Sequence, residues 1–386
     1  LNLLPPRIAN RQAFAVLIDT LAVAADADGN AKLRLRLVDR AFSWQALVDL
    51  AQAQDILFPL IWALKRRSLL LPAPLAAGGA PAAAHPSAQL TSVYQQHRVR
   101  RQRQRVQLLE IITALNRANI EPVLLKGARY LLAPADSWQE ARDMRDLDLL
   151  VRPEDAGRTV EALLSRGYAA AGKQDLLDHH LPEMWRAGEP SAVEIHTEAL
   201  SRTARKILPT ADVWRLATRS SADGNAYLLL PSEWHLLHGL LHHQISDRGH
   251  FRKVLAVKPL WEFAMLAGEI SPQGWQDISH RMAAAGKAGV LGSWIAQARE
   301  LYGLAPASGV VVSPAARAHA AATIANAAAP DWQRHARFTI DRLRFGFSIE
   351  TLAWRYHIDP NDVSLATMFR HVRFMAQRTR DRMLDR

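Results

Sequence analysis

The segment Arg142-Asp-Met-Arg-Asp146-Leu-Asp148-Leu-Leu-Val151 passes from a charged half into an apolar half, as a strand does on entering a core. In an extended strand, side chains alternate between the two faces. Asp146 and Asp148 therefore project to one side, with Leu147 and Leu149 on the other. Two neighbouring carboxylates repel each other, and a cation lying between them removes that cost. Hard divalent cations such as Mg²⁺ take oxygen ligands and commonly use one or two carboxylates together with substrate phosphates. The plainer reading is a pair of solvated aspartates at the mouth of a strand.

Working outward, Val123-Leu-Leu-Lys126-Gly127-Ala128 reads as an apolar strand that breaks at glycine and opens a helix through Leu132. A glycine there lets the backbone approach a ligand, the start of a helix favours anions, and Lys126 adds positive charge. An ordinary strand-to-helix turn with a solvated lysine fits the same residues. Downstream, Ala192-Val193-Glu194-Ile195-His196 is a further expected strand, with Glu194 and His196 on one face. Glu194 then stands either as a third carboxylate opposite the aspartate pair or as a simple exposed glutamate.

Taken in order, VLLKGA (Val123–Ala128), RDMRDLDLLV (Arg142–Val151), Gly167-Tyr168 and VEIH (Val193–His196) resemble the nucleotidyltransferase superfamily that includes DNA polymerase β. They are most similar to its bacterial branch of poorly characterised nucleotidyltransferases. The resemblance runs well over Ile120–Leu200 and loosely over Gln45–Leu266, where Trp234–Phe263 with His238 and His242 matches the following segment of that branch. It implies an α+β fold, with a mixed β-sheet core flanked by helices and largely helical N- and C-terminal regions. It also implies transfer of a nucleoside monophosphate from an NTP such as ATP to an acceptor hydroxyl, with pyrophosphate leaving. Asp146, Asp148 and Glu194 would hold Mg²⁺ or Mn²⁺, and Glu194, nearest the incoming hydroxyl, would act as base. Lys126, Gly127, Ala128 and Arg142 would bind the triphosphate, and His238 and His242 would lie near phosphate. Two departures stand out. The superfamily's usual Gly-Gly or Gly-Ser pair is Gly127-Ala128 here, without a hydroxyl, and the third carboxylate is Glu in place of the more usual Asp.

The rest of the chain frames this centre. Helical spacing of apolar residues covers Ile8–Ala27, a polar turn is expected at Asp26–Asn30, and a second helix spans Trp44–Arg67. Leu71–Ala88, rich in Ala, Pro and Gly, reads as a connection. Val93–Asn119 is helical, with Val99, Val106, Leu109, Ile112 and Leu115 as expected core positions. Strands are expected at Pro122–Leu125, Leu147–Val151, Ala192–Ile195 and Tyr227–Leu230, with a helix over Pro153–Arg166. Beyond Ser232 the chain reads as helices, ending in a basic amphipathic stretch at Phe369–Arg386. Three regions result: a helical region 1–90, a nucleotidyltransferase core 91–231 and a helical region 232–386.

The 386 residues carry 48 Lys and Arg against 37 Asp and Glu, a net charge of +11 that suits polyanions, whether nucleic acid, nucleotides or an acidic membrane surface. The absence of Cys excludes disulfides, thiolate zinc sites and cysteine nucleophiles, and fits a reducing cytoplasm. Residues 1–30 lack a signal-peptide pattern, and no stretch is long and apolar enough to span a bilayer, so a soluble cytoplasmic protein is expected. The run His97–Arg105 is either a solvated helix face or a polyanion-binding surface, and the latter supports an alternative function as a non-catalytic nucleic-acid- or partner-binding module. His235, His238, His242, His243 and His250 cluster, and His238 and His242 share a helix face. Zinc, helix packing and substrate contact all fit that spacing, although Gly239 after the first His rules out the zinc-protease pattern. His179, His180 and His196 add imidazoles without a spacing rule. Trp185, Trp234, Trp261, Trp275 and Trp294 are expected in the core. Neither a phosphate-binding P-loop nor a dinucleotide-binding glycine motif occurs.

Overall fold

The computed structural model describes residues 7–24, 26–70, 86–134, 137–170, 181–307 and 309–384. Four helices come first: α1 (Arg11–Leu21), α2 (Ala27–Val38), α3 (Trp44–Ala53) and α4 (Leu57–Arg66). The polar segment expected as a turn at Asp26–Asn30 is instead the first turn of α2, because the Asp26 side chain accepts the Gly29 N–H and caps the helix. The helix expected over Trp44–Arg67 is two helices. They are separated at Asp55, whose φ of 54° lies in the left-handed region. Residues 71–85 of the Ala/Pro/Gly-rich connection lie outside the described residues, as do His179 and His180.

The long helix α5 (Pro86–Arg117) corrects the expected core face. Val99 and Val106 are 63% and 57% exposed, while His97, Arg101, Gln104, Gln107 and Leu108 turn inward. This face is buried by hydrogen bonding as well as by apolar packing. Gln104 donates to the Met144 carbonyl (2.9 Å) and Ser191 Oγ (2.7 Å), Arg101 donates to the Tyr130 carbonyl, and Arg100 and Arg103 donate to the carbonyls of Met144 and Gly188. A pattern read from apolar residues alone slides off such a face.

Among the described residues seven strands form one mixed sheet: β1 (Val123–Leu124), β2 (Asp146–Leu150), β3 (Ala169–Ala170), β4 (Met184–Trp185), β5 (Ala192–His196), β6 (Thr218–Ala222) and β7 (Asn225–Leu229). Their order is β3-β4-β5-β2-β1-β7-β6. β2 runs parallel to β5 and antiparallel to β1, and β1 runs parallel to β7. The four expected strands are present. β3, β4 and β6 are added at the two edges, where two-residue length or an exposed Ser/Thr composition leaves no alternating apolar signal. Trp185, on β4, is 44% exposed, unlike the other four tryptophans expected in the core. The segment after Gly127 is a 3₁₀ turn, Ala128–Leu132.

The sheet divides two cores. Leu147, Leu149, Val151, Val193 and Ile195 pack with Ile112 and Leu115 of α5 on one side. Leu150, Val123 and Leu125 belong to the other, larger core with the later helices. α6 (Ala156–Leu164), α7 (Arg202–Arg205) and α8 (Thr210–Leu216) lie between strands in the chain. α9 (Ser232–Leu241), α10 (Gly249–Arg252), α11 (Val257–Ala267), α12 (Pro272–Ala284), α13 (Ala288–Tyr302) and α14 (Pro314–Ala328) follow the sheet. Residues Ile8–Ala328 form one compact unit, and Ala329–Arg386 form the greater part of a second. The second holds α15 (Asp331–Gly346), α16 (Ile349–Tyr356) and α17 (Leu365–Leu384). Among the described residues no helix is long and apolar enough to cross a membrane.

Candidate active site

Register assembles the site. β2 and β5 pair Asp146 with Ala192, Asp148 with Glu194 and Leu150 with His196. Residues far apart in the chain thus become lateral neighbours, and alternation puts Asp146, Asp148, Glu194 and His196 on one face. Asp148 is only 1% exposed and His196 is fully buried. His196 Nε2 lies 2.9 Å from Asp148 Oδ1 and 3.4 Å from Glu194 Oε2.

Lys126 closes the group from the turn that follows β1. Its Nζ donates to Asp148 Oδ1 at 2.7 Å and lies 3.9 Å from Glu194 Oε2. Its φ of 42° is unusual for a residue with a side chain, and holding such a backbone costs about 1–3 kcal/mol. The next residue explains a further contact. A Cβ at Gly127 would lie 1.9 Å from an Nη atom of Arg142, so the glycine leaves the space the guanidinium fills. Arg142 Nε is 2.9 Å from Glu262 Oε1 of α11, and Lys258 of the same helix donates to the Asp143 carbonyl at 2.8 Å.

The electrostatics follow from these contacts. Burial by itself raises the Asp148 carboxyl, but Lys126 and His196 outweigh it and hold it well below the usual carboxylate range. Burial opposes charge on Lys126 and His196 too, and the carboxylates reverse that, raising both. Glu194 is lowered: burial pushes up, while the His196 hydrogen bond and Lys126 pull down more strongly. Asp146 moves the other way, raised by burial and by the charges of Asp148 and Glu194.

Sequence reasoning singled out nine residues. Asp146, Asp148, Glu194, Lys126, Gly127 and Arg142 lie around this face. Ala128 is fully buried and packs in the core beyond the sheet. His238, on α9, is fully buried with Nε2 2.9 Å from the Ala199 carbonyl. Burial drives its pKa down to about 3, and it lies near enough to feel Lys126 and Asp148. His242 starts a π-helical turn, His242–Ser246, and its Nδ1 faces Asp247 at 3.2 Å, beside His243 at 3.4 Å. His196 is the imidazole that spacing rules passed over. Its signal was the alternation placing it with Glu194. Glu262 and Lys258 had no signal, because they come from a helix more than a hundred residues away from Arg142 and Asp143.

The two carboxylates offer oxygen donors of the kind a divalent cation takes, and His196 adds an imidazole when it is neutral. Ligand atoms of Asp148, Glu194 and His196 all lie within 4.8 Å of one another, and the Lys126 ammonium already supplies positive charge between the two carboxylates. A second such group is His242, His243 and Asp247. Carboxylate oxygens suit Mg²⁺ or Mn²⁺, and imidazole suits Mn²⁺ and later metals more than Mg²⁺.

The mixed seven-stranded sheet with flanking helices is the α+β fold that the resemblance implies. The profile of the uncharacterised nucleotidyltransferase family covers residues 40–303, and the chain belongs to that family. Neither a curated protein nor a solved structure matches it.

Proposed function

We propose that the protein is a divalent-metal-dependent nucleotidyltransferase that moves a nucleoside monophosphate from an NTP to an acceptor hydroxyl. The observation carrying this reading is the β2–β5 register, with Asp148 beside Glu194, Asp146 on the same face and Lys126 between the first two. The hydroxyl oxygen bonds to the α-phosphorus, the bond from that phosphorus to the bridging β-phosphate oxygen breaks, and pyrophosphate leaves. Glu194, ionised and at the rim of the cluster, takes the hydroxyl proton. Arg142, anchored by Glu262, orients the triphosphate as a planar donor, and Lys126 steadies it as a point charge. Asp146, Asp148 and Glu194 would hold the divalent cations, which when bound neutralise phosphate charge and favour the attacking and leaving oxygens. The Cys-free chain suits a reducing compartment, and the cytoplasm is the setting we infer.

A binding-only role through the Arg98–Arg105 helix finds less support. Arg100, Arg101 and Arg103 donate to main-chain carbonyls, and Arg98 pairs with Glu140 at 2.6 Å. The test is incubation with each α-labelled NTP, Mg²⁺ or Mn²⁺ and a cell extract, beside Asp148→Asn. Label transferred to a protein, RNA or small-molecule fraction by the wild type alone is the expected result. No transfer, together with no metal-dependent NTP binding, overturns the reading.

A further inference from the structure

The turn that ends α9 gathers a donor set outside the sheet. The His242 carbonyl accepts the Asp247 N–H at 2.9 Å, an i to i+5 bond that makes His242–Ser246 π-helical. In an α-helix, Asp247 would stand about 140° around the axis from His242. The wider turn closes that angle, and Nδ1 of His242 and Nδ1 of His243 lie 3.2 and 3.4 Å from the same Asp247 Oδ2. The two imidazoles are side by side, with ring centroids 5.0 Å apart and planes 28° from parallel. The backbone around them is held. A Cβ at Gly249 would meet the His243 carbonyl at 2.6 Å, so glycine lets the chain fold back against the turn. The Ser246 hydroxyl, 2.7 Å from that of Ser201, ties the same turn to the segment after β5.

Two observations point from this cluster to a cation. First, His242 Nδ1 is closed to water and has no hydrogen-bond partner among the described residues, because the Asp247 oxygen 3.2 Å away lies off the direction of a hydrogen bond. A buried polar atom without a partner is costly, and a metal ion takes up its lone pair. Second, the spacings are those of ligand atoms around one small ion. With bonds of about 2.0–2.1 Å in a tetrahedral array, neighbouring ligand atoms stand about 3.3–3.4 Å apart. One ligand atom from each of the three residues lies within 4.8 Å of the others, so the set closes by side-chain adjustment alone. Asp247 is exposed and gives an ion a way in. At neutral pH an ordinary imidazole is largely uncharged and a carboxylate ionised, the forms that bind metal.

We propose that His242, His243 and Asp247 form a site for one late first-row divalent cation, Zn²⁺ or its Co²⁺ and Ni²⁺ analogues, with a fourth position open to water. Two imidazole nitrogens and one carboxylate suit these metals, whereas Mg²⁺ takes oxygen ligands and favours carboxylates such as those of β2 and β5. The site differs from that carboxylate face in its residues and in its choice of metal. It stands whether or not the protein transfers nucleotides. The bound ion pins the π-helical turn between α9 and α10.

The test uses the whole chain without a histidine tag, stripped with EDTA, dialysed and titrated with Co²⁺ in excess Mg²⁺. The wild type should take up one equivalent with visible d–d absorption that Zn²⁺ bleaches, and Zn²⁺ should raise the melting midpoint by a few degrees. His243→Gln and Asp247→Asn should each weaken uptake at least about tenfold, while melting in EDTA stays as in the wild type. Glu194→Gln, which removes a ligand atom from the carboxylate face, should leave uptake unchanged. Zinc-edge X-ray absorption of the loaded wild type depends on no variant and should show two imidazoles. A single imidazole would place the ion at Asp148, Glu194 and His196. That result, uptake lost in Glu194→Gln, uptake indifferent to both His243→Gln and Asp247→Asn, or no uptake by the wild type overturns the assignment.

Discussion

His196 and His238 are both fully buried imidazoles near the same carboxylates, yet they hold their protons oppositely. His196, on β5, faces Asp148 and Glu194 and is pushed toward the charged form despite burial. His238, on α9, faces the Ala199 carbonyl, and burial drives it down to about 3. Burial acts in the same direction on both, so the difference lies in the partner. A carboxylate repays the desolvation of a cation, and a single carbonyl dipole does not. The sheet face is therefore a charged interior, and the helix behind it a neutral one.

The largest expected effect removes the partner that makes His196 different. Asp148→Asn should abolish transfer and cost about 3–5 kcal/mol of stability, because Lys126 and His196 lose their shared counter-charge. Denaturant unfolding beside the transfer assay checks both. An unchanged midpoint would mean that the charged interior is not formed by this pair. Glu194→Gln removes a more exposed carboxylate, and transfer should fall about 10²–10⁴-fold with little loss of stability. If unfolding follows activity down, Glu194 is holding the fold and not the proton.

Gly127→Ala sharpens the comparison from the triphosphate side. The added methyl collides with the Arg142 guanidinium, and NTP affinity should weaken about tenfold, equivalent to about 1.4 kcal/mol. NTP titration by calorimetry measures this directly, and unaltered affinity would remove Arg142 from the triphosphate site.

The smallest effect concerns the neutral interior and acid. The folded-state pKa of His238 lies below its unfolded value near 6.5, so the stability tied to its neutral form is complete above about pH 6.5. It is lost as pH falls toward about 3, at about 1.4 kcal/mol per pH unit. His250, lowered to about 4 by burial, and His235, lowered well below normal by burial, add slopes of the same sign. His196 runs the other way, its contribution present in acid and lost as pH rises through its raised value. Unfolding free energies measured from pH 7 to 5 should fall, and His238→Gln should make that slope shallower by one proton's worth.

Much of this is legible in the sequence. Asp146, Leu147, Asp148 and Leu149 announced a strand by period-two alternation, and that alternation alone put the two aspartates on one face. The strand at Ala192 came from the same signal, and the one at Tyr227 from a short apolar run. The long helix α5 was legible as a helix but not in its rotation, because its inward face is built from His97, Arg101, Gln104 and Gln107, whose hydrogen bonds to distant carbonyls leave no apolar periodicity. The edge strands were silent for a related reason. Thr218–Ala222 is held by pairing with β7 and buries no apolar stripe.

Local order along the chain therefore determined the central strands, the aspartate pair, the glycine turn and the family, since each rests on spacing within a few residues. Only the tertiary structure decided that Asp148 stands beside Glu194, that Lys126 lies between them, and that Glu262 holds Arg142 against Gly127. Those contacts join segments separated by tens of residues or more. They exist because strand register and helix packing bring charges together where water is excluded, and no local pattern encodes which distant partner will balance a buried charge.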